Sequence, residues 1–256
     1  MTIHEFGDEN KEAIILIHPS LVKWDYFEYV IPHLKDDYHL IIPALPGYDF
    51  DEDGDFTGVE EIAREINDWI KRSGVACVHA VYGCSMGGSV ALLVTLGQSA
   101  PIRHCVMDGG ITPYRLPRIV TRFIALKDYL MIMTGKAGGV KLLEKAFATD
   151  EYSDEDLEYV AEVLNHCSGR TIWRTFDSCN NYRIPSPIPD IATEIHYWYA
   201  GAEEKARKND IAFMKDTFPQ TRFRLFKELG HGGLALKTPE LFFDMIRSLG
   251  GTGNDR

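Results

Sequence analysis

The chain contains no run of about eighteen apolar residues and no basic-then-apolar leader at its N-terminus. Neither a membrane span nor export is therefore expected, and the expected address is the cytoplasm. Positive charge is scarce. Lysine and arginine number 27 against 38 aspartates and glutamates, a formal net charge of -11; nucleic acid and anionic membrane surfaces need a clustered basic face and are disfavoured as main partners. Cysteine is sparse too. Five residues, an odd number without regular spacing, read as small buried hydrophobes in a reducing compartment rather than as a disulfide framework. What is present is 256 residues of 45% hydrophobic content, enough for a sizeable core in one domain that carries an insertion.

Hydrophobic patterning supplies the class. Residues 13–17 and 39–42 are continuously apolar rather than alternating, which implies strands buried on both faces, as in a mostly parallel sheet covered by helices. Residues 2–6 suggest an edge strand, and helical spacing of Trp24, Phe27, Val30, Ile31 and Leu34 predicts a helix over 24–34. Residues 43–48 and the acidic run after them read as a surface loop, with Thr57 capping an amphipathic helix over 59–71. Strand 77–82, helix 89–97 and strand 103–108 follow. From Thr112 to about Pro189 no strand is convincing; helices are predicted over 118–133, 140–149, 154–167 and 170–179. Alternation resumes with strand 195–200, helix 205–218, strand 222–225 and helix 239–249, ahead of a frayed tail over 250–256. The prediction is an α/β fold: one domain with a core over 1–112 and 190–256, interrupted by a helical cap over 113–189.

Between a buried strand and an apolar helix, Gly83-Cys84-Ser85-Met86-Gly87 fits G-x-S-x-G. The glycines let strand and helix close around a strained central residue, which lifts the Ser85 hydroxyl out of the sheet. A structural turn serine is the competing reading, but a chance match rarely falls at a strand-to-helix join. Alternation turns the neighbouring Cys84 away, as a packing residue.

With His18-Pro19-Ser20, Gly83 to Gly88, Glu203-Glu204 and Gly230-His231-Gly232-Gly233, the chain resembles the α/β-hydrolase superfamily over almost its whole length, in particular its single-domain, capped serine hydrolases. The resemblance implies an eight-strand-type, mostly parallel sheet with the cap after the sixth strand, and a triad in the order nucleophile, acid, histidine. His231, in a Gly-flanked loop, is the expected general base and then general acid. The acid is Glu203 if Ala200 takes the place of the strand-ending glycine, or Glu204 if Gly201 does. Glu203 is preferred, with Asp108 next in line. Oxyanion donors are expected from the backbone N–H groups of Met86 and Ser20; Pro19 stands where relatives commonly carry glycine and has no N–H, so Leu21 is the alternative to Ser20.

In the cap, Met131, Met133, Trp173 and Phe176 can line an apolar pocket or pack on one another, and Arg115, Arg118 and Arg122 can meet a substrate carboxylate or form a solvated face. The reading is a serine hydrolase that cleaves a small or medium carboxylic ester or thioester with an apolar part, through an acyl-enzyme, with no metal or organic cofactor implied. A non-catalytic ligand-binding protein or receptor, and a carbon-carbon bond hydrolase, use the same frame and stay open.

Overall fold

The computed structural model describes residues 1–50, 52–140, 142 and 153–249. Its strands are β1 (Ile3–Phe6), β2 (Ala13–Ile17), β3 (His39–Pro43), β4 (Val78–Cys84), β5 (Ile102–Asp108), β6 (Glu194–Ala200) and β7 (Arg222–Phe226). They form one sheet in the order β1-β3-β2-β4-β5-β6-β7. β1 is antiparallel to β3, and every other pairing is parallel. The described residues thus hold seven strands rather than eight.

Every residue of β2, β3 and β4 is buried, because helices cover both faces of the sheet. On one face Ile15, Ile17 and Val81 pack with α2 (Val59–Ser73) and α3 (Met86–Leu96). On the other, Ile14, Leu16 and Tyr82 pack with α1 (Ile31–Leu34) and, through Phe242 and Ile246, with a C-terminal helix, Pro239–Ser248. A strand run with no polar alternation is the sequence trace of such double coverage.

Between β5 and β6 lie α4 (Arg118–Gly138), α5 (Asp154–His166) and α6 (Gly169–Asn181). Ser153 caps α5 in a reciprocal capping box with Asp156, and Ser168 accepts the Thr171 N–H at 3.0 Å to start α6. Tyr129 of α4 meets Trp173 of α6 edge to face at 5.8 Å. The helix expected over 140–149 falls largely outside the described residues, as does the tail 250–256. After β6 come α7 (Lys208–Thr217), α8 (Gly233–Lys237) and α9 (Pro239–Ser248). Among the described residues, no helix is long and apolar enough to cross a membrane.

Three local expectations are corrected. The helix over 24–34 is broken into a short 3-10 turn, Trp24–Phe27, and α1, where Pro32 sits in the first turn. A continuous helix would place Pro32 in its interior, without an N–H and against the carbonyl of Glu28. Thr57 does not cap α2: the cap position is Gly58, at φ 136° and ψ 158°, and the Val59 N–H donates to Ser178 Oγ of α6 at 3.3 Å. The loop after β3 is not a surface loop, since Leu45, Tyr48 and Asp49 are buried. It lies beneath α6, where the Phe56 N–H donates to Thr171 Oγ1 at 3.1 Å and Arg170 pairs with Asp55 at 3.1 Å. The loop is therefore tied to α6.

Candidate active site

Ser85 occupies the join of β4 and α3 at φ 53° and ψ -117°, a left-handed conformation that strains a residue with a Cβ. The residues two positions to either side must be glycine. A Cβ on Gly83 would lie 2.0 Å from the Gly87 carbonyl oxygen, and one on Gly87 would lie 2.2 Å from that of Ile17. Both obstacles are backbone and cannot rotate away. Gly83→Ala is accordingly expected to destabilise the fold by at least the roughly 1–3 kcal/mol of a core overpacking, read as a lowered urea midpoint.

The strain is held from the next strand. The Ser85 N–H donates to the Asp108 carbonyl at 2.8 Å, and the Asp108 side chain accepts the Tyr82 hydroxyl at 2.5 Å. Burial pushes the Asp108 carboxyl up to about 6, while the Tyr82 bond opposes that rise. A carboxyl raised above its ordinary 3.8 loses folding stability as pH climbs through that range. Tyr82→Phe removes the opposing donor. Its expected cost, about 1–3 kcal/mol from an unsatisfied buried acceptor, should be larger above pH 6 than below pH 4 when urea denaturation is run at both.

His231 lies in the loop ahead of α8, and its Nδ1 is 2.7 Å from Glu203 Oε2. Glu203 closes the 3-10 turn Gly201–Glu203 at the end of β6, and its other oxygen accepts the Ala200 N–H at 3.1 Å. Burial works against the Glu203 charge, but the hydrogen bond and charge of His231, the Ala200 N–H and Arg207 outweigh it and hold the carboxyl below its usual range. Glu204 points elsewhere: it is exposed and is not bonded to His231. Gly109, at φ 58°, threads past the pair, and a Cβ there would sit 2.7 Å from Glu203 Oε1 and 3.0 Å from His231 Cε1. Since Ser85 is bonded to the residue before Gly109, Ser85, Glu203 and His231 gather at one end of the sheet, beside the end of β5.

Two supports carry no motif. Arg207 reaches Glu203 Oε2 at 3.6 Å, Asp210 at 3.3 Å and the Gly109 carbonyl at 3.2 Å. Tyr26 donates to the Gly232 carbonyl at 2.8 Å, fixing the histidine loop. Arg207 lies one helical turn past Glu203 in sequence, so an i,i+4 pairing of the two was the available signal; Tyr26 is joined to Gly232 across 206 residues, and no local pattern points to it. Cys84 is buried, and its thiol is held well above the usual range by burial first and by the nearby Asp108 charge. It is a packing residue, not a second nucleophile.

Met86 is the first residue of α3, so its N–H is among those without an intrahelical acceptor. Gly87 abuts the Ile17 and His18 carbonyls, which brings the start of α3 against the His18-Pro19-Ser20 loop. In that loop His18 Nδ1 donates to the Pro19 carbonyl at 2.7 Å; burial pushes the ring down to about 4, so it is neutral at pH 7. Leu21 sits at φ 67°.

The inserted helices answer only part of the pocket expectation. Met131 is 57% exposed, whereas Met133 and Phe176 pack against the core and Trp173 packs on Tyr129. Arg115 pairs with Asp216 at 2.7 Å and Arg122 lies 3.5 Å from Asp177; Arg118 is exposed.

The model of the alpha/beta hydrolase family matches residues 14–245. No curated protein matches the chain, but many solved structures share its fold. MenH from S. aureus is 17% identical, with a TM-score of 0.76 over 97% of this chain and 96% of that one. The esterase EaEST from Exiguobacterium antarcticum is 16% identical, with a TM-score of 0.75 over 96% and 93%. A thermophilic esterase from Thermogutta terrifontis is 14% identical, with a TM-score of 0.74 over 96% and 91%. At these identities the likeness speaks for the fold, and the family model speaks for descent: the chain belongs to the alpha/beta hydrolase family.

Proposed function

We propose that the protein is a serine hydrolase that cleaves a small or medium carboxylic ester or thioester through an acyl-enzyme. The observation that carries this reading is the 2.7 Å bond from His231 Nδ1 to the buried Glu203 carboxylate, at the sheet end where Ser85 is held at φ 53°. A carboxylate on Nδ1 fixes the tautomer that leaves Nε2 as the base. His231 Nε2 takes the Ser85 proton as Oγ attacks the acyl carbon; the tetrahedral oxyanion is met by the N–H groups of Met86 and Ser20; the protonated imidazole then passes its proton to the leaving alcohol or thiol. Water, activated by the same imidazole, frees the acid and restores Ser85. Residues 113–189 serve as the cap over this end, with a small molecule bearing an apolar part beneath it.

A fluorophosphonate probe tests the nucleophile. Labelling of Ser85, located by peptide mass spectrometry and abolished by heat denaturation, is expected; folded protein that takes up no label at Ser85 overturns the reading. Short p-nitrophenyl esters should give a burst followed by steady turnover. Tight binding of such a ligand without its conversion would instead favour a receptor on the same frame.

A further inference from the structure

A separate cluster of side chains lies at the other end of two strands. Register pairs His104 of β5 with Glu194 of β6, and Val106 with His196, so strand alternation places His104, Glu194 and His196 on one face. His104 Nδ1 is 3.4 Å from His196 Nε2 and 3.5 Å from Glu194 Oε2. His196 Nε2 is 3.8 Å from the same oxygen. A tetrahedral zinc ion with bonds of about 2.0–2.1 Å sets its ligand atoms about 3.3–3.4 Å apart, so the three atoms outline nearly one face of such a tetrahedron.

The surroundings match a ligand set more closely than an ion pair. Glu194 Oε2 is buried and has no hydrogen-bond partner among the described residues, while Oε1 is held by Arg222 at 2.9 Å. An arginine on one oxygen that turns the other inward is the usual outer-shell arrangement around a metal-binding carboxylate. The two rings share a single long contact, and the buried carboxylate oxygen has no hydrogen bond among the described residues.

We infer that His104, His196 and Glu194 form a site for one divalent transition ion of the zinc type, with solvent completing the coordination on the partly exposed Glu194 side. Imidazole and carboxylate ligands suit such borderline ions better than calcium or magnesium. His104 is four residues from Asp108, about 13 Å along an extended strand, too far for the ion to polarise a substrate at Ser85. Its role is to tie β5 to β6, the pair that the inserted helices separate in sequence.

Chelator-stripped full-length protein titrated with Zn²⁺ by calorimetry should bind one equivalent, with a rise in Tm that saturates at the same ratio. Co²⁺ in its place should give the visible absorption of a tetrahedral site. His196→Ala is expected to lose the equivalent and the Tm rise. Should that variant fail to fold, Glu194→Gln, at a side chain 41% exposed, serves instead and should weaken binding by at least about tenfold. No saturable binding by the wild type, or binding undiminished in the folded variant, overturns the site.

Discussion

Ser85→Ala should lower kcat on a p-nitrophenyl ester by about a million-fold, the loss seen when a serine nucleophile is removed from a triad that acts as a unit. Binding should hardly change, because the methyl group keeps the shape of the site and removes only the atom that forms the bond. Alanine at φ 53° is no less strained than serine, so circular dichroism and Tm should show the folded state kept. Residual turnover at the level of the oxyanion donors alone, about a thousand- to ten-thousand-fold over water, fits the same mechanism. A loss of less than about a hundredfold would show that Ser85 is not the attacking group.

Glu203→Gln comes next in size, at about ten-thousand-fold in kcat, with Glu204→Gln close to wild type. The two oxygens of Glu203 both accept, one from His231 and one from the Ala200 N–H. A glutamine supplies one oxygen and one amine. If the oxygen stays on Ala200, the amine faces His231 Nδ1 and forces the tautomer that leaves no base toward Ser85. If the amide turns over, the Ala200 N–H meets a donor. Either way the imidazolium formed during attack has no anion behind it. Glu204, exposed at the end of the turn and without a bond to His231, has little to lose. Inactive Glu204→Gln with active Glu203→Gln would reverse the assignment, and full activity in both would move the search to Asp108.

That one-residue ambiguity marks where sequence reasoning stopped. The strands were legible because burial on both faces writes an unbroken apolar run, and Ser85 was legible because its strain needs glycines at fixed offsets. The choice between Glu203 and Glu204 depends on whether the chain leaves β6 straight or in a turn. The Gly201–Glu203 turn settles the geometry, and nothing in the run Glu203-Glu204-Lys205 encodes it. Pro32 broke the expected helix in its interior, and Gly58 took the cap one position after Thr57. His104, Glu194 and His196 were invisible for another reason: their meeting is a matter of register between strands, and register emerges only when the sheet is assembled.

The placement of the helices between β5 and β6 has a consequence for how such a chain can change over generations. Strands β5 and β6 are hydrogen-bonded neighbours, yet residues 109–193 lie between them. Closing a segment of that length is an entropic cost that grows only logarithmically, so doubling it adds about 0.6 kcal/mol. Insertions and deletions there can leave the pairing, the glycines around Ser85 and the Glu203–His231 contact in place. Selection can therefore rewrite a single interval of the gene without re-solving the problem of folding the sheet.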